Sequence, residues 1–289
     1  MNGILLIDKP LGMTSHDVVA RVRRICGIKR VGHAGTLDPD ASGLMVVCLG
    51  QATRLAEFLT GQSKRYTATL QLGLRTSSQD ISGAVLTTSD ASSITEPQFM
   101  ETARKFSGEI DQIPPMVSAL HHEGKRLYDL ARQGIVVERQ PRRITVEYLT
   151  VLEFRGGVSA EADLDIKCSK GTYIRTICFD IGDSLGVGGT MKSLRRTESG
   201  SFHVKSAVQL HNLDATAIAG VLIRPGQALG TLPHIVVSAH SAQELKHGRR
   251  CLTDTPDCEC LSVLDSTDEL VAICSALNGE LIPHKVFNN

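Results

Sequence analysis

Short apolar or alternating runs predict strands through much of the chain. Leu44–Leu49 is a continuous apolar run typical of a buried strand, whereas Tyr66–Leu72 alternates and predicts a half-buried one. The runs of the first two hundred residues are Ile4–Ile7, Leu44–Leu49, Tyr66–Leu72, Val146–Phe154 and Ala162–Cys168. Strands outnumber helices and lack regular helical crossovers, which favours an α+β fold over a doubly wound sheet.

Apolar residues recur at helical spacing in four stretches and predict a helix in each. The stretches are 14–27, 97–106, 127–131 and 174–185. In the first, Thr14 and Asp17 have the spacing of a capping box, and Gly27 follows as a C-terminal cap. In the last, Thr172 is the expected N-cap.

The pattern of apolar and polar positions along the chain changes near Leu213–Pro233. Beyond it, five or six short strands within about 60 residues suggest a small barrel. We therefore expect a first domain over residues 1–230 and a second over 231–289. Residues 114–143 form a distinct stretch that predicts one short helix within a linker or a surface hairpin.

The charge distribution is uneven although the formal net charge is zero. Residues 1–65 carry nine Lys/Arg against five Asp/Glu, and residues 167–205 carry seven against three. Residues 231–289 carry four against eight. Residues 1–65 and 167–205 therefore carry the positive charge that binding of a phosphate backbone would require. Ordinary charge on helix surfaces is the simpler interpretation.

Composition is that of a globular protein, at 42% hydrophobic and 21% charged residues. No apolar run approaches the roughly 20 residues of a membrane span, and no secretory leader is visible. Several of the eight cysteines lie within apolar runs, which favours a reduced cytoplasmic protein. Cys258 and Cys260 are the one metal-like pair, but they lack a second pair, so we expect loop cysteines and no metal.

The stretch from His33 to Gly43 concentrates turn-forming residues around one carboxylate, Asp38. Pro39 disfavours helix at Asp38 and stiffens the backbone that presents it. Gly35 and Gly43 allow another backbone or a ligand to approach closely. Catalytic side chains concentrate in such loops, although an ordinary Asp-Pro turn has the same spacing.

This stretch resembles the catalytic loop of the TruB family of tRNA pseudouridine synthases, which follows a Gly-His-x-Gly-x-Leu-Asp-Pro-x-Ala-x-Gly pattern. Further blocks match the family in order over about residues 3–200. Ser78 stands where the family pattern has Thr. The blocks are Gly3–Pro10 with Gly12–Ser15, Lys64–Tyr66, Arg75–Asp80 with Gly83, and Ser169–Arg175.

The resemblance implies a pseudouridine synthase catalytic fold, with a mixed, mainly antiparallel sheet and flanking helices. It also implies a C-terminal PUA-like barrel that binds RNA and a mobile thumb at about 114–143. The implied reaction isomerises uridine 55 in the T loop of tRNA, with Asp38 as the catalytic residue. A carboxylate can add to the sugar or the base, or take a proton during elimination, and the sequence does not choose among these routes.

Tyr66 is one of four tyrosines in a chain without Trp. A flipped uracil needs a flat face for stacking, although a strand Tyr is the simpler interpretation. The resemblance places Tyr66 against the target base and pairs Arg175 with Asp38, where a solvent-facing Arg is the alternative. It also assigns substrate contacts to His33, Tyr173 and Leu194, and polar supporting roles to Lys9 and Asp80.

The expected substrate is the T arm of tRNA. We expect no cofactor, no obligatory protein partner, no guide RNA and a monomer. A catalytically idle RNA chaperone or ribonucleoprotein subunit of the same fold is the main alternative, but the presence of Asp38, Tyr66 and Arg175 argues against lost activity. A guide-dependent relative would carry extra terminal segments, and a nucleoside hydrolase would need a second acidic cluster.

Overall fold

The structure is a computed structural model that describes residues 1–118, 120–230 and 232–288. In chain order, the strands are β1 (Gly3–Lys9), β2 (Val31–His33), β3 (Ala41–Leu49), β4 (Lys64–Leu72), β5 (Leu74–Thr76), β6 (Val85–Thr88), β7 (Gly108–Gln112), β8 (His121–His122), β9 (Lys125–Arg126), β10 (Arg142–Arg155), β11 (Glu161–Cys168), β12 (Gly189–Ser199), β13 (Phe202–His203), β14 (Val208–Gln209), β15 (His234–Val236), β16 (Cys251–Leu252), β17 (Cys258–Leu264), β18 (Leu270–Leu277) and β19 (Glu280–Val286). The helices are α1 (Ser15–Cys26), α2 (Ala56–Thr60), α3 (Glu96–Arg104), α4 (Leu127–Arg132), α5 (Ile174–Ser184), α6 (Ala215–Val221) and α7 (Ala239–Lys246). None of these helices is long and apolar enough to cross a membrane.

The chain forms two compact units. The terminal unit comprises Met1–Pro39, Leu44–Gly61 and Ser201–Asn289, and the central unit comprises Asp40–Gly43 and Gln62–Gly200. The predicted boundary between residues 230 and 231 stays a prediction, and Thr231 itself lies outside the described residues.

In the terminal unit, β1 pairs in parallel with β14, β3 is the next strand, and β2 pairs antiparallel with β3. Helix α1 begins as the sequence predicts, because Thr14 and Asp17 form both halves of a capping box. It ends at Gly27, which adopts the left-handed conformation at φ 63°. Its apolar face is buried in a core with β1 and β3.

The same unit contains a five-stranded sheet in the order β15-β17-β18-β19-β16. Strands β15 and β17 pair in parallel, whereas β17 with β18, β18 with β19 and β19 with β16 pair antiparallel. The sheet agrees with the five or six short strands predicted beyond residue 230. Leu270 and Ile273 of this sheet, and Phe287 directly after β19, share a hydrophobic cluster with Ile4 and Leu44.

The central unit is built on the antiparallel order β12-β4-β11-β10-β7. Strand β4 alternates between buried and half-buried positions along its whole length, as the sequence predicts. The first three residues of β3 pair in parallel with Leu194–Arg196 of β12. Gly43 permits this approach, since its φ is 102° and a Cβ there would collide with the Arg196 carbonyl oxygen. The α+β prediction and its mixed, mainly antiparallel sheet are thus confirmed.

The stretch 114–143 contains the short helix predicted for it, α4, and a two-stranded hairpin, β8 with β9. Two cationic groups lie near the ring of Tyr128 of α4, with the Arg126 and Arg132 guanidinium carbons 5.8 and 5.5 Å from its centre. Strand β10 begins within the stretch, at Arg142. The stretch is therefore a small folded segment rather than an extended linker.

Candidate active site

The loop that carries Asp38 is anchored on both sides of that residue. On one side Leu37 and Ser15 exchange two hydrogen bonds: the Ser15 hydroxyl donates to the Leu37 carbonyl at 3.0 Å, and the Leu37 amide donates to the Ser15 hydroxyl at 2.9 Å. On the other side the Pro39 carbonyl accepts from the Gly12 amide at 2.9 Å. Asp38 is half-buried between these anchors. Its backbone is thereby held by contacts from the two ends of the segment 12–15.

Lys9 supplies a third anchor to the same loop. Its side chain is fully buried, and its ammonium donates to the Pro39 carbonyl at 3.3 Å and to the Pro10 carbonyl at 2.9 Å. A buried cation needs such oxygen partners, because burial removes its hydration. The structure therefore places Lys9 where it positions the neighbour of Asp38, in agreement with a supporting role.

His33 is the last residue of β2 and is half-buried. Its ring meets that of His16 on α1 edge to face, with centres 5.9 Å apart and planes at 86°. Lys9, His33 and Asp38 all belong to the terminal unit, whereas the other predicted site residues belong to the central unit.

In the central unit, Asp80 is buried and its carboxylate is surrounded by donors. One oxygen accepts from the Ser78 hydroxyl at 2.7 Å, from the Ser82 hydroxyl at 2.6 Å and from the Ser82 amide at 3.1 Å. Ser78, which replaces the family's Thr, keeps the hydroxyl that this contact needs. Gly83 closes the turn, because a Cβ at that position would collide with Ser78.

Arg175 is 5% exposed, and the structure pairs it with Asp80. One guanidinium nitrogen lies 3.3 Å from the second oxygen of the Asp80 carboxylate, which the serine donors do not contact. Another guanidinium nitrogen donates to the Val117 carbonyl at 2.6 Å. The Tyr173 ring centre lies 5.7 Å from the guanidinium carbon. Because Asp80 is saturated by hydroxyl and amide donors, it is a fixed anion that orients the guanidinium. The expected pairing of Arg175 with Asp38 stays a prediction.

The prediction that Thr172 caps helix α5 is wrong by one residue. The N-cap is Tyr173, without a side-chain cap, because the Thr172 hydroxyl donates instead to the Ser169 carbonyl at 3.0 Å. Arg175 nevertheless lies in the first turn of α5, as expected, and Ile174, Ile177 and Ile181 line the buried face.

Sequence reasoning missed Gln112, which is buried at the end of β7. Its amide nitrogen donates to the Tyr173 carbonyl at 3.0 Å, and the Tyr173 amide donates to its amide oxygen at 2.8 Å. These two bonds fix the backbone from which α5 starts. The only signal in the sequence was a Gln two residues before Pro114-Pro115, and nothing there shows its partner 61 residues away.

Tyr66 lies in the middle of the central sheet and is 9% exposed. It stands opposite Ile166 on β11 and Arg196 on β12. Leu194, also on β12, is half-buried and pairs with Ala41 on β3 and Ala68 on β4. The neighbouring Lys64 is buried, and that burial, with Arg196 and Lys170 nearby, lowers the pKa of its ammonium to about 8.

Among residues 1–118, 120–230 and 232–288, no three His, Cys, Asp or Glu side chains are grouped so as to hold a metal ion. Cys258 and Cys260 lie in strand β17 rather than in a loop, which corrects that part of the sequence interpretation. Burial raises the pKa of the Cys260 thiol.

Two family profiles match consecutive parts of the chain. Residues 23–174 match the TruB family pseudouridylate synthase N-terminal domain, and residues 175–221 match the tRNA pseudouridylate synthase B C-terminal domain. The tRNA pseudouridine synthase B of Symbiobacterium thermophilum is 46% identical, over 86% of this chain and 82% of the relative. That of Pelotomaculum thermopropionicum is 42% identical, over 99% of this chain and 95% of the relative.

Solved structures show the same fold. An H/ACA ribonucleoprotein bound to a substrate RNA containing 2'-deoxyuridine includes a chain with a TM-score of 0.75 and 26% identity, covering 99% of this chain and 85% of that chain. A chain of the archaeal box H/ACA Nop10–Cbf5 complex gives 0.74 and 26%, covering 99% of this chain and 86% of that chain. With its two matched profiles and with relatives above 40% identity along most of its length, the chain belongs to the TruB family of pseudouridylate synthases.

Proposed function

We propose that this chain converts uridine 55 in the T loop of tRNA to pseudouridine, with Asp38 as the catalytic residue. As a TruB family member the chain is an isomerase, and its relatives carry the name tRNA pseudouridine synthase B. The observation that carries the assignment of Asp38 is the anchoring of both its neighbours, Leu37 to Ser15 and Pro39 to Gly12 and Lys9. A carboxylate presented from a fixed backbone can keep its position while the base turns.

The reaction needs few groups from the protein. The bond between C1′ of the ribose and N1 of uracil breaks, the base turns, and a bond forms between C1′ and C5. C5 loses its proton and N1 gains one, so the product is an isomer of the substrate. Asp38 assists cleavage as nucleophile or base, and water must be kept from C1′ because hydrolysis would release the base.

Binding of the flipped uridine is assigned to residues of the central unit. Tyr66 stacks on the uracil, with its hydroxyl near C5, and Tyr173 and Leu194 form pocket walls. Arg175 balances the charge of Asp38. The buried, donor-saturated Asp80 supports this role, since it fixes one side of the guanidinium. His33 stacks beside the opened loop of the RNA.

Residues 1–230 supply the catalytic domain, with a thumb at about 114–143 that closes on the RNA, and residues 231–289 supply a PUA-like RNA-binding domain. The enzyme acts in the cytoplasm as a monomer on the T arm, without guide RNA, protein partner or cofactor. The greater identity to the tRNA synthases than to the H/ACA chains supports action without guide RNA.

The test is to mix purified protein with an unmodified tRNA transcript labelled with tritium at C5 of uridine. Forming the C1′–C5 bond expels that tritium into water, and nucleoside analysis reports pseudouridine. A transcript with cytidine at position 55 is the control. Release from the first transcript alone supports the proposal, whereas RNA binding without release would support the idle chaperone.

A further inference from the structure

Five exposed cations lie in the ten residues that span the second half of α1 and its exit. We call them the α1 cation cluster, and they are Arg21, Arg23, Arg24, Lys29 and Arg30. The sequence contains no Asp or Glu from residue 18 to residue 37. Along the sequence the cluster is therefore a segment of one sign, bounded by Asp17 at one end and Asp38 at the other.

Within the described ranges, none of the five forms an ion pair. Three other exposed arginines are instead matched with carboxylates: Arg143 with Glu109, Arg249 with Glu244, and Arg250 with Glu280. Unlike those three arginines, the five cations of the cluster lie close together in the chain and keep unneutralised charge that attracts anions.

Two of the five side chains are oriented by neutral acceptors. Arg23 donates to the Val31 carbonyl at 3.3 Å, and Arg30 donates from its Nε to the Thr53 hydroxyl at 2.7 Å. Both guanidinium groups keep further donors, because each contact uses one of five N–H groups. The two neutral contacts therefore fix the Arg23 and Arg30 side chains, and both guanidinium groups can still bind an anion.

The helix dipole accounts for only part of the cluster. Arg23 and Arg24 lie in the last turn of α1, where cations are favoured. Arg21 lies earlier, and Lys29 and Arg30 follow the Gly27 cap. The apolar residues Val18, Val19 and Val22 of the helix are buried, so the exposed face offers charge without an apolar anchor. Such a face suits phosphates rather than a folded protein partner.

Helix α1 also fixes how far the cluster lies from the catalytic loop. Its first residue, Ser15, exchanges the two hydrogen bonds with Leu37 beside Asp38. At 1.5 Å of rise per residue, Arg21 and Arg24 lie about 9 and about 14 Å along the helix axis from that contact. Phosphates of nucleotides near a uridine at Asp38 fall within this range.

We propose that the α1 cation cluster binds the phosphodiester backbone of the RNA substrate close to the target nucleotide. The inference rests on the proposed function, since it takes the substrate to be tRNA. The cluster increases affinity and sets the register of the RNA against Asp38, and it takes no part in the chemistry.

The test compares two double variants of the full-length protein, Arg21→Gln/Arg24→Gln in the cluster and Arg104→Gln/Lys105→Gln at the end of α3, where both residues are exposed. The dissociation constant for tRNA is measured between 50 and 200 mM salt. The slope of log affinity against log salt is negative, and each lost phosphate contact reduces its magnitude by about 0.7–0.9. We therefore expect the magnitude of the slope to decrease by about 1.5 for the cluster variant and to stay at the wild-type value for the control.

Lys29→Gln repeats the test outside the helix and should reduce the magnitude of the slope by about 0.7–0.9. A cluster variant with the wild-type slope, or a control that reduces its magnitude equally, would overturn the inference. Failure of the wild-type protein to form pseudouridine would instead refute the proposed function, and the slopes would still report which cations contact RNA.

Discussion

Gln112 and Tyr173 exchange two hydrogen bonds, at 3.0 and 2.8 Å, between a side-chain amide and a backbone. The pair joins the end of β7 to the start of α5. Five residues after Gln112, the Val117 carbonyl accepts from Arg175 at 2.6 Å. The end of β7 and the beginning of the stretch 114–143 are thus each attached to the start of α5, which presents Arg175.

We expect Gln112→Met to reduce kcat about tenfold or more with little change in KM. The substitution removes the Gln112 acceptor of the Tyr173 amide and one of the donors to the Tyr173 carbonyl, which also accepts from the Thr176 and Ile177 amides. Loss of such a polar contact costs about 1–3 kcal/mol, and 1.4 kcal/mol of barrier corresponds to tenfold in rate. Steady-state kinetics and urea unfolding measure the two effects. Gln140→Met, at an exposed position, is the control.

Gln112→Glu separates positioning from mere stability. A Glu carboxylate still accepts from the Tyr173 amide but cannot donate to its carbonyl, whereas the protonated acid can do both. Its kcat relative to wild type should therefore increase as the pH falls, and that of Gln112→Met should not. Identical pH profiles for the two variants would contradict a positioning role.

Asp38→Asn should abolish pseudouridine formation while tRNA binding stays within about tenfold, because affinity is spread over many phosphate contacts. Asp40→Asn is the matched control, since Asp40 is an exposed carboxylate in the same loop. Tritium release and filter binding measure activity and affinity. More than trace turnover by Asp38→Asn would refute the assignment of the catalytic residue.

Tyr66→Phe and Tyr66→Leu should differ. Phe keeps the stacking face and loses the hydroxyl, whereas Leu loses both, and stacking on a base is worth about 1–3 kcal/mol. We expect Leu to weaken RNA binding, and Phe to bind normally but turn over slowly if the hydroxyl transfers a proton. The same changes at Tyr148, a half-buried strand tyrosine, serve as control. Near-wild-type rates for both Tyr66 variants would show that Tyr66 has only a structural role in its strand.

Local signals in the sequence predicted local structure well. The Thr14–Asp17 capping box and the alternation of β4 both depend on residues a few positions apart, and both are confirmed. The Asp38 loop was recognisable because its turn-forming residues are contiguous. Its anchors at Ser15 and Lys9 were not, since they come from residues 22 and 30 positions from their partners.

Long-range polar contacts explain what sequence reasoning missed. Thr172 had the residue type of an N-cap, but the Ser169 carbonyl competes for its hydroxyl. Asp80 and Arg175 are 95 residues apart, and nothing in either segment reveals the pair. The sheet topology, which no local pattern encodes, brings such residues together.

Lys64 should make stability increase with pH above neutrality. Its pKa falls from 10.5 to about 8, chiefly because burial disfavours the charged form. The penalty for holding the cation is fully present below pH 8 and disappears as the pH approaches 10.5. Relative to Lys64→Met, the wild type should therefore gain up to about 3 kcal/mol of unfolding free energy across that range. Urea unfolding at several pH values measures it, with Lys105→Met as the exposed control; a pH-independent difference would contradict the prediction.

Phe287 should be essential for the stability of the terminal unit although it lies two residues from the C-terminus. It is 1% exposed, shares a cluster with Ile4 and Leu44, and has the Arg54 guanidinium carbon 5.3 Å from its ring centre. Phe287→Ala should cost about 3–5 kcal/mol, a large part of the 5–15 kcal/mol typical of a domain. Leu252→Ala, at an 86% exposed position of the same sheet, should cost little.

A chain that ends at residue 230 would lose Leu270, Ile273 and Phe287 together and expose the apolar side of β1. We therefore expect it to lose cooperative unfolding, so that its inactivity would not show that residues 231–289 contact RNA. Point variants of exposed residues such as Lys246 test that contact without opening the core. Urea unfolding of Phe287→Ala decides the matter, because a loss below about 1 kcal/mol would mean that the five-stranded sheet is not needed to complete this core.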